Sequence, residues 1–69
     1  MTLGTKLSKL RLENGYTQAH VATIVGLDQS SYCRLESDKV QPKFLTALRI
    51  AQLYQIDITL LYTATINFL

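Results

Sequence analysis

The chain has 69 residues, 48% of them apolar and 17% charged, with a formal net charge of +2. That is enough hydrophobe for one small core and too little charge for a disordered tail, although a domain this short buries a low fraction of its surface and would gain stability from a partner chain. One cysteine excludes an internal disulfide and, with one histidine, is too few strong ligands for a structural zinc site, no apolar run reaches the roughly 18 residues that span a bilayer, and the start Met1-Thr2-Leu3-Gly4-Thr5-Lys6 lacks the apolar core of a signal peptide.

A cytosolic globular domain without metal or cofactor is therefore expected, and the small positive charge permits a nucleic-acid partner without arguing for one. Leu3, Leu7 and Leu10 form a helical stripe, and Gly15 is a stop, which predicts a first helix from about Thr2 to Asn14. Thr17 caps a second helix with Val21, Ala22 and Val25 inward, ended by Gly26. Asp28 caps a third from about Gln29 to Glu36, with Leu27, Tyr32 and Leu35 as its apolar side. Ser37-Asp38-Lys39-Val40-Gln41 is turn-prone, and Pro42 suits the first turn of a fourth helix carrying Phe44, Ala47, Leu48, Ala51 and Tyr54. Asp57 caps a short fifth helix with Leu61 inward. The remainder, Tyr62 to Leu69, is rich in β-branched and aromatic residues and fits a helix poorly.

Helices 2 and 3 are separated by a tight, glycine-containing turn, the arrangement of a helix-turn-helix unit. Ala22 must be small where the third helix crosses, Gly26 must accept a positive φ, and Tyr32 and Leu35 plug the third helix onto the core. At roughly 100° per residue, Gln29, Ser30, Cys33, Arg34 and Ser37 share an arc of about 140°, while Asp28, Ser31, Tyr32 and Leu35 lie away from it. Gln and Arg are suited to base edges in a major groove, Gln to adenine and Arg to guanine.

From Lys6 to about Leu61 the chain resembles the Cro and phage-repressor (Xre-type) helix-turn-helix domains, on Thr17-Gln18, Ala22, Gly26, Glu36, Pro42 and Ile50-Ala51. The resemblance implies an all-α, compact five-helix, lambda-repressor-like domain over residues 1–62, with 63–69 as a short apolar C-terminal tail. It implies base reading by Gln29, Ser30, Arg34 and Cys33, and phosphate contacts by Gln18, Ser37, Lys39 and Lys43, with Gln18 also bracing a side chain of the recognition helix. It also implies a structural ion pair between Arg11 and Glu36. In three places the chain departs from the pattern: Ser37-Asp38 replaces Asn-Gly, so Asp38 must take the left-handed conformation close to where phosphates are bound; Tyr32 replaces a smaller Ile or Val; and Gln55 stands where glycine is common.

The expected function is a sequence-specific, double-stranded DNA-binding transcriptional regulator, a repressor occupying a pseudo-palindromic operator as a homodimer. Leu60, Ile66, Phe68 and Leu69 are the candidate dimerisation residues, because so small a monomer cannot cover them all. The alternative is a protein-interaction module, antitoxin-like or antagonist-like, on the same fold. Enzymatic activity is not expected: Cys33, His20 and the acids are scattered, with no nucleophile–base pair and no glycine-rich phosphate loop. Cys33 reads as an inert thiol and His20 as an exposed helix residue, and no small-molecule site is evident.

Overall fold

The computed structural model describes residues 1–63, so Ile66, Phe68 and Leu69 lie outside the described residues. It contains five helices and, among the described residues, no strand: α1 (Leu3–Glu13), α2 (Gln18–Val25), α3 (Gln29–Glu36), α4 (Phe44–Tyr54) and α5 (Thr59–Tyr62). This is the all-α, five-helix architecture expected from the sequence.

Each of the first three helices starts on a side-chain cap. The Thr2 hydroxyl accepts from the Thr5 N–H at 3.1 Å, Thr17 from His20 at 3.0 Å, and the Asp28 carboxylate from Ser31 at 2.7 Å. These bonds satisfy donors that have no partner inside the helix. Asp57 acts similarly at α5, where its Oδ1 accepts both the N–H and the hydroxyl of Thr59 at 2.9 Å, although the helix proper begins only at Thr59.

The first four helices end alike. The N–H two residues past the last turn reaches back five residues to a carbonyl, as in Leu27 to Ala22 (2.8 Å) and Lys39 to Arg34 (3.0 Å), and a left-handed residue makes the reversal. Gly26 does this at φ 80° without steric cost, which is what lets Asp28, the cap of α3, follow two residues later. Asp38 (φ 61°) and Gln55 (φ 56°) do it with a Cβ, at about 1 kcal/mol each.

The core takes one stripe from every helix: Leu3 and Leu7 from α1, Val21, Ala22 and Val25 from α2, and Tyr32 and Leu35 from α3. Ala47, Ile50 and Ala51 of α4 and Leu61 of α5 complete it, with Leu10, Leu27 and Tyr54 half-buried around it.

Two expectations are corrected, and a third, the burial of Tyr32, holds. Pro42 is not in the first turn of α4: Lys43 is extended (ψ 157°), so the helix begins at Phe44 and the fixed φ of Pro42 shapes the approach instead. Phe44 points outward at 72% exposure, because the buried stripe of α4 runs through Ala47, Ile50 and Ala51 and position 44 falls off its end. Tyr32 is fully buried, yet its hydroxyl lies beside the Glu36 carboxylate without completing a well-formed hydrogen bond.

α1 crosses the end of α3 at Gly4. A Cβ there would overlap the Glu36 carbonyl oxygen and lie 2.8 Å from Asp38 Oδ2. At an open helical site Gly→Ala gains about 1 kcal/mol, whereas forced overpacking costs about 1–3 kcal/mol. Backbone on one side of the contact leaves little room to yield, so Gly4→Ala is expected to lower the urea midpoint of unfolding; a rise would show that the crossing is loose.

Candidate nucleic-acid interface

α3 is eight residues long, too short to hold itself together in water, so its usefulness depends on what fixes it. Its inner face is held by Tyr32 and Leu35. On its outer face Gln29, Ser30, Cys33 and Arg34 are all exposed, followed by exposed Ser37 at the cap. The Ser30 hydroxyl donates to Asp28 Oδ1 at 3.2 Å and the Ser37 hydroxyl to the Arg34 carbonyl at 3.3 Å, while Cys33 is a free thiol. The structure thus brings these five side chains to one accessible surface.

The end of α3 is tied to α1 and α2 through Glu36. Arg11 Nε donates to Glu36 Oε2 at 2.7 Å and Nη2 to Oε1 at 3.1 Å, a forked pair with side-chain exposures of 13% and 7%. The third arm, Nη1, donates to the Tyr16 carbonyl at 3.0 Å. Gln18 Nε2 adds a bond to Glu36 Oε1 at 3.0 Å, so the side chain opening α2 braces the last residue of α3. Tyr16 also packs its ring against Tyr54 of α4, with centroids 6.2 Å apart, and against His20 at 4.9 Å.

Burial works against the Glu36 charge, but the hydrogen bond from Arg11, the neighbouring Tyr32 hydroxyl and Gln18 outweigh it and hold the carboxyl below the usual glutamate range. Burial, and then the same carboxylate, push the Tyr32 phenol well above its ordinary value. Tyr54 rises to about 12 for the same two reasons, its hydroxyl also unpartnered. At the helix starts, Asp28, Asp38 and Asp57 are lowered chiefly by the hydrogen bonds they accept.

Lys39 and Lys43 are exposed beside the loop after α3, and neither forms a salt bridge among the described residues. Lys43 also stands at the start of α4, whose first turn has no side-chain cap. Leu60 is 46% exposed on α5, well apart in sequence from this surface.

Sequence reasoning did not anticipate the role of Asp38. Its carboxylate turns back to α1, accepting the Gly4 N–H on Oδ1 at 2.9 Å and the Thr2 hydroxyl on Oδ2 at 2.6 Å. α1 has no acidic residue in its own first turn, so Asp38 supplies the negative charge that a helix N-terminus favours. A first turn of α1 without an acid of its own was the available signal, but it does not say which acid answers it.

Comparison with known proteins agrees with this geometry. The family model described as helix-turn-helix matches residues 7–61. The chain is 30% identical over 56 residues to the HTH-type transcriptional regulator PuuR of Escherichia coli (strain K12), and equally to that of Shigella flexneri. The match covers 81% of this chain but 30% of each relative, so the chain spans under a third of the length of the curated relatives it matches. No solved structure matches significantly. Among the described residues no helix is long and apolar enough to cross a membrane.

The lowered carboxyls set the acid behaviour. A group whose pKa is lower folded than unfolded stabilises fully above its unfolded value, and that stability is lost as pH falls through the folded one. Urea stability should be flat from pH 7 to about pH 5 and then fall as Glu36 and the capping aspartates protonate. Glu36→Gln should cost about 2 kcal/mol at pH 7, less than a deeply buried pair because Arg11 keeps an edge to solvent, and should flatten the acid limb. An unchanged limb would remove Glu36 from the account.

Proposed function

The chain belongs to the helix-turn-helix family, of the Cro and Xre type, and on that premise we propose that it is a sequence-specific transcriptional regulator, a repressor that occupies a pseudo-palindromic operator in double-stranded DNA. The observation that carries this reading is the outer face of α3: a rigidly anchored helix whose exposed residues are those that can pair with base edges. Gln29 and Arg34 are the principal readers in this proposal, with Ser30 and Cys33 beside them. Gln18, Ser37, Lys39 and Lys43 meet phosphates and set affinity rather than sequence preference. The similarity to PuuR supports a regulatory role, and a cytoplasmic, bacterial or phage setting is part of the same proposal.

We propose further that two copies act together through α5 and the segment after it, with residues 1–62 reading DNA and 63–69 assisting association. Exposed Leu60 and the exposed Phe44, which borders an apolar groove of about 490 Å³ with Pro42, Ile58 and Tyr62, support that arrangement. Two recognition helices would then sit roughly 34 Å apart, one turn of the duplex.

The alternative, a protein-interaction module on the same fold, separates cleanly by its salt dependence. Binding to a duplex selected from random sequences should weaken steeply with added salt, and Gln29→Ala and Arg34→Ala should each cost ~1–3 kcal/mol and relax base preference. Salt-independent binding, or no retardation of any duplex, would favour the alternative. Sedimentation of the full chain and of a version ending at Thr63 addresses association: the full chain should be heavier than a monomer and the shortened one lighter, and two equal monomer masses would end the dimer proposal.

A further inference from the structure

Asp38 stands between Ser37 and Lys39, on the loop that the proposed function turns toward the phosphate backbone. A negative charge there opposes binding to a polyanion, and a Cβ at φ 61° opposes the backbone conformation, so on both grounds glycine would fit better. The structure shows what the aspartate does that glycine cannot. Its two carboxylate oxygens bind the Gly4 N–H and the Thr2 hydroxyl, 34 and 36 positions earlier in the chain. The same end of α1 is pressed against the Glu36 carbonyl, close enough that position 4 has no room for a side chain. Glu36 fixes α3 to the C-terminal half of α1 through Arg11, and Asp38 fixes the exit from α3 to the N-terminus of α1. Two points on one rigid helix define a direction where a single point leaves a pivot.

We propose that Asp38 is a positioning residue for the recognition helix: its clasp on Thr2 and Gly4 sets the angle of α3 against α1 and the direction in which Lys39 leaves, while its charge weakens attraction to DNA of any sequence. The clasp thereby raises the ratio of specific to non-specific binding, while the charge lowers affinity for both alike. This rests on the DNA-binding reading, but its geometric half holds in the protein alone.

Two variants separate the parts. Asp38→Gly relieves the backbone and removes both bonds; Asp38→Asn removes the charge, tolerates the left-handed conformation, keeps its amide oxygen for the Gly4 N–H and turns an NH2 donor toward the Thr2 hydroxyl oxygen in place of the second acceptor. Residual dipolar couplings of the free proteins should show α3 reoriented relative to α1 in the glycine variant and unmoved in the asparagine variant. On DNA, both variants should bind random duplex several-fold more tightly than the parent. The selected-site to random-site ratio should fall about tenfold in Asp38→Gly and hold in Asp38→Asn. Unchanged couplings in Asp38→Gly would overturn the proposal, as would an unchanged binding ratio. Failure of the parent to bind any duplex would instead remove the DNA-binding reading, leaving the couplings to decide whether Asp38 orients the helix.

Discussion

Everything presented on the outer surface depends on the guanidinium of Arg11. Its planar fork engages both oxygens of Glu36 at the end of α3, and its remaining arm holds the Tyr16 carbonyl just ahead of α2. One side chain of α1 thus fixes the start of one helix and the finish of the next. A lysine could supply the charge but not three bonds in one plane. Ion pairs sheltered from water contribute little net stability once desolvation is counted, so the value of this one lies in geometry. Gln18 adds a neutral bond to the same carboxylate and makes the link between α2 and α3 direct.

The acids are deployed in a consistent way. Of the five in the chain, Glu36 is consumed in the pair with Arg11, and Asp28, Asp38 and Asp57 each accept backbone N–H groups at the start of a helix. Helix N-termini carry partial positive charge, about half an elementary charge, so these carboxylates are offset in part where they stand. Arg34, Lys39 and Lys43 have no such partner among the described residues. A chain with a net charge of only +2 can in this way turn a more positive surface outward than its total suggests.

Much of the fold was legible because its signals are local. Thr17 and Asp28 cap the helices they precede, Gly26 makes the turn, and Val21, Ala22, Tyr32 and Leu35 fall inward at helical spacing. What escaped depends on contacts between distant residues. The helical start at Phe44 follows from an extended Lys43, which the preceding proline does not dictate, and the outward turn of Phe44 follows from where the α4 stripe meets the core. The destination of the Asp38 carboxylate is a helix start more than 30 positions away, and no local pattern names it. For the site, the sequence placed the polar set of α3 on one face by periodicity and the resemblance implied that Gln18 braces a side chain of α3, which is Glu36, but neither gave the way Ser30 is held by Asp28.

The aromatic residues around the Arg11–Glu36 pair have an optical consequence. The chain has no tryptophan and four tyrosines; the hydroxyls of Tyr32 and Tyr54 lie in the field of that pair, and Tyr16, whose carbonyl Arg11 holds, packs its ring against Tyr54. Near-ultraviolet absorption and circular dichroism of the unlabelled protein are therefore dominated by chromophores placed where the recognition helix is anchored. Any loosening of that joint is written directly into the intrinsic spectrum of the chain, without a probe being attached.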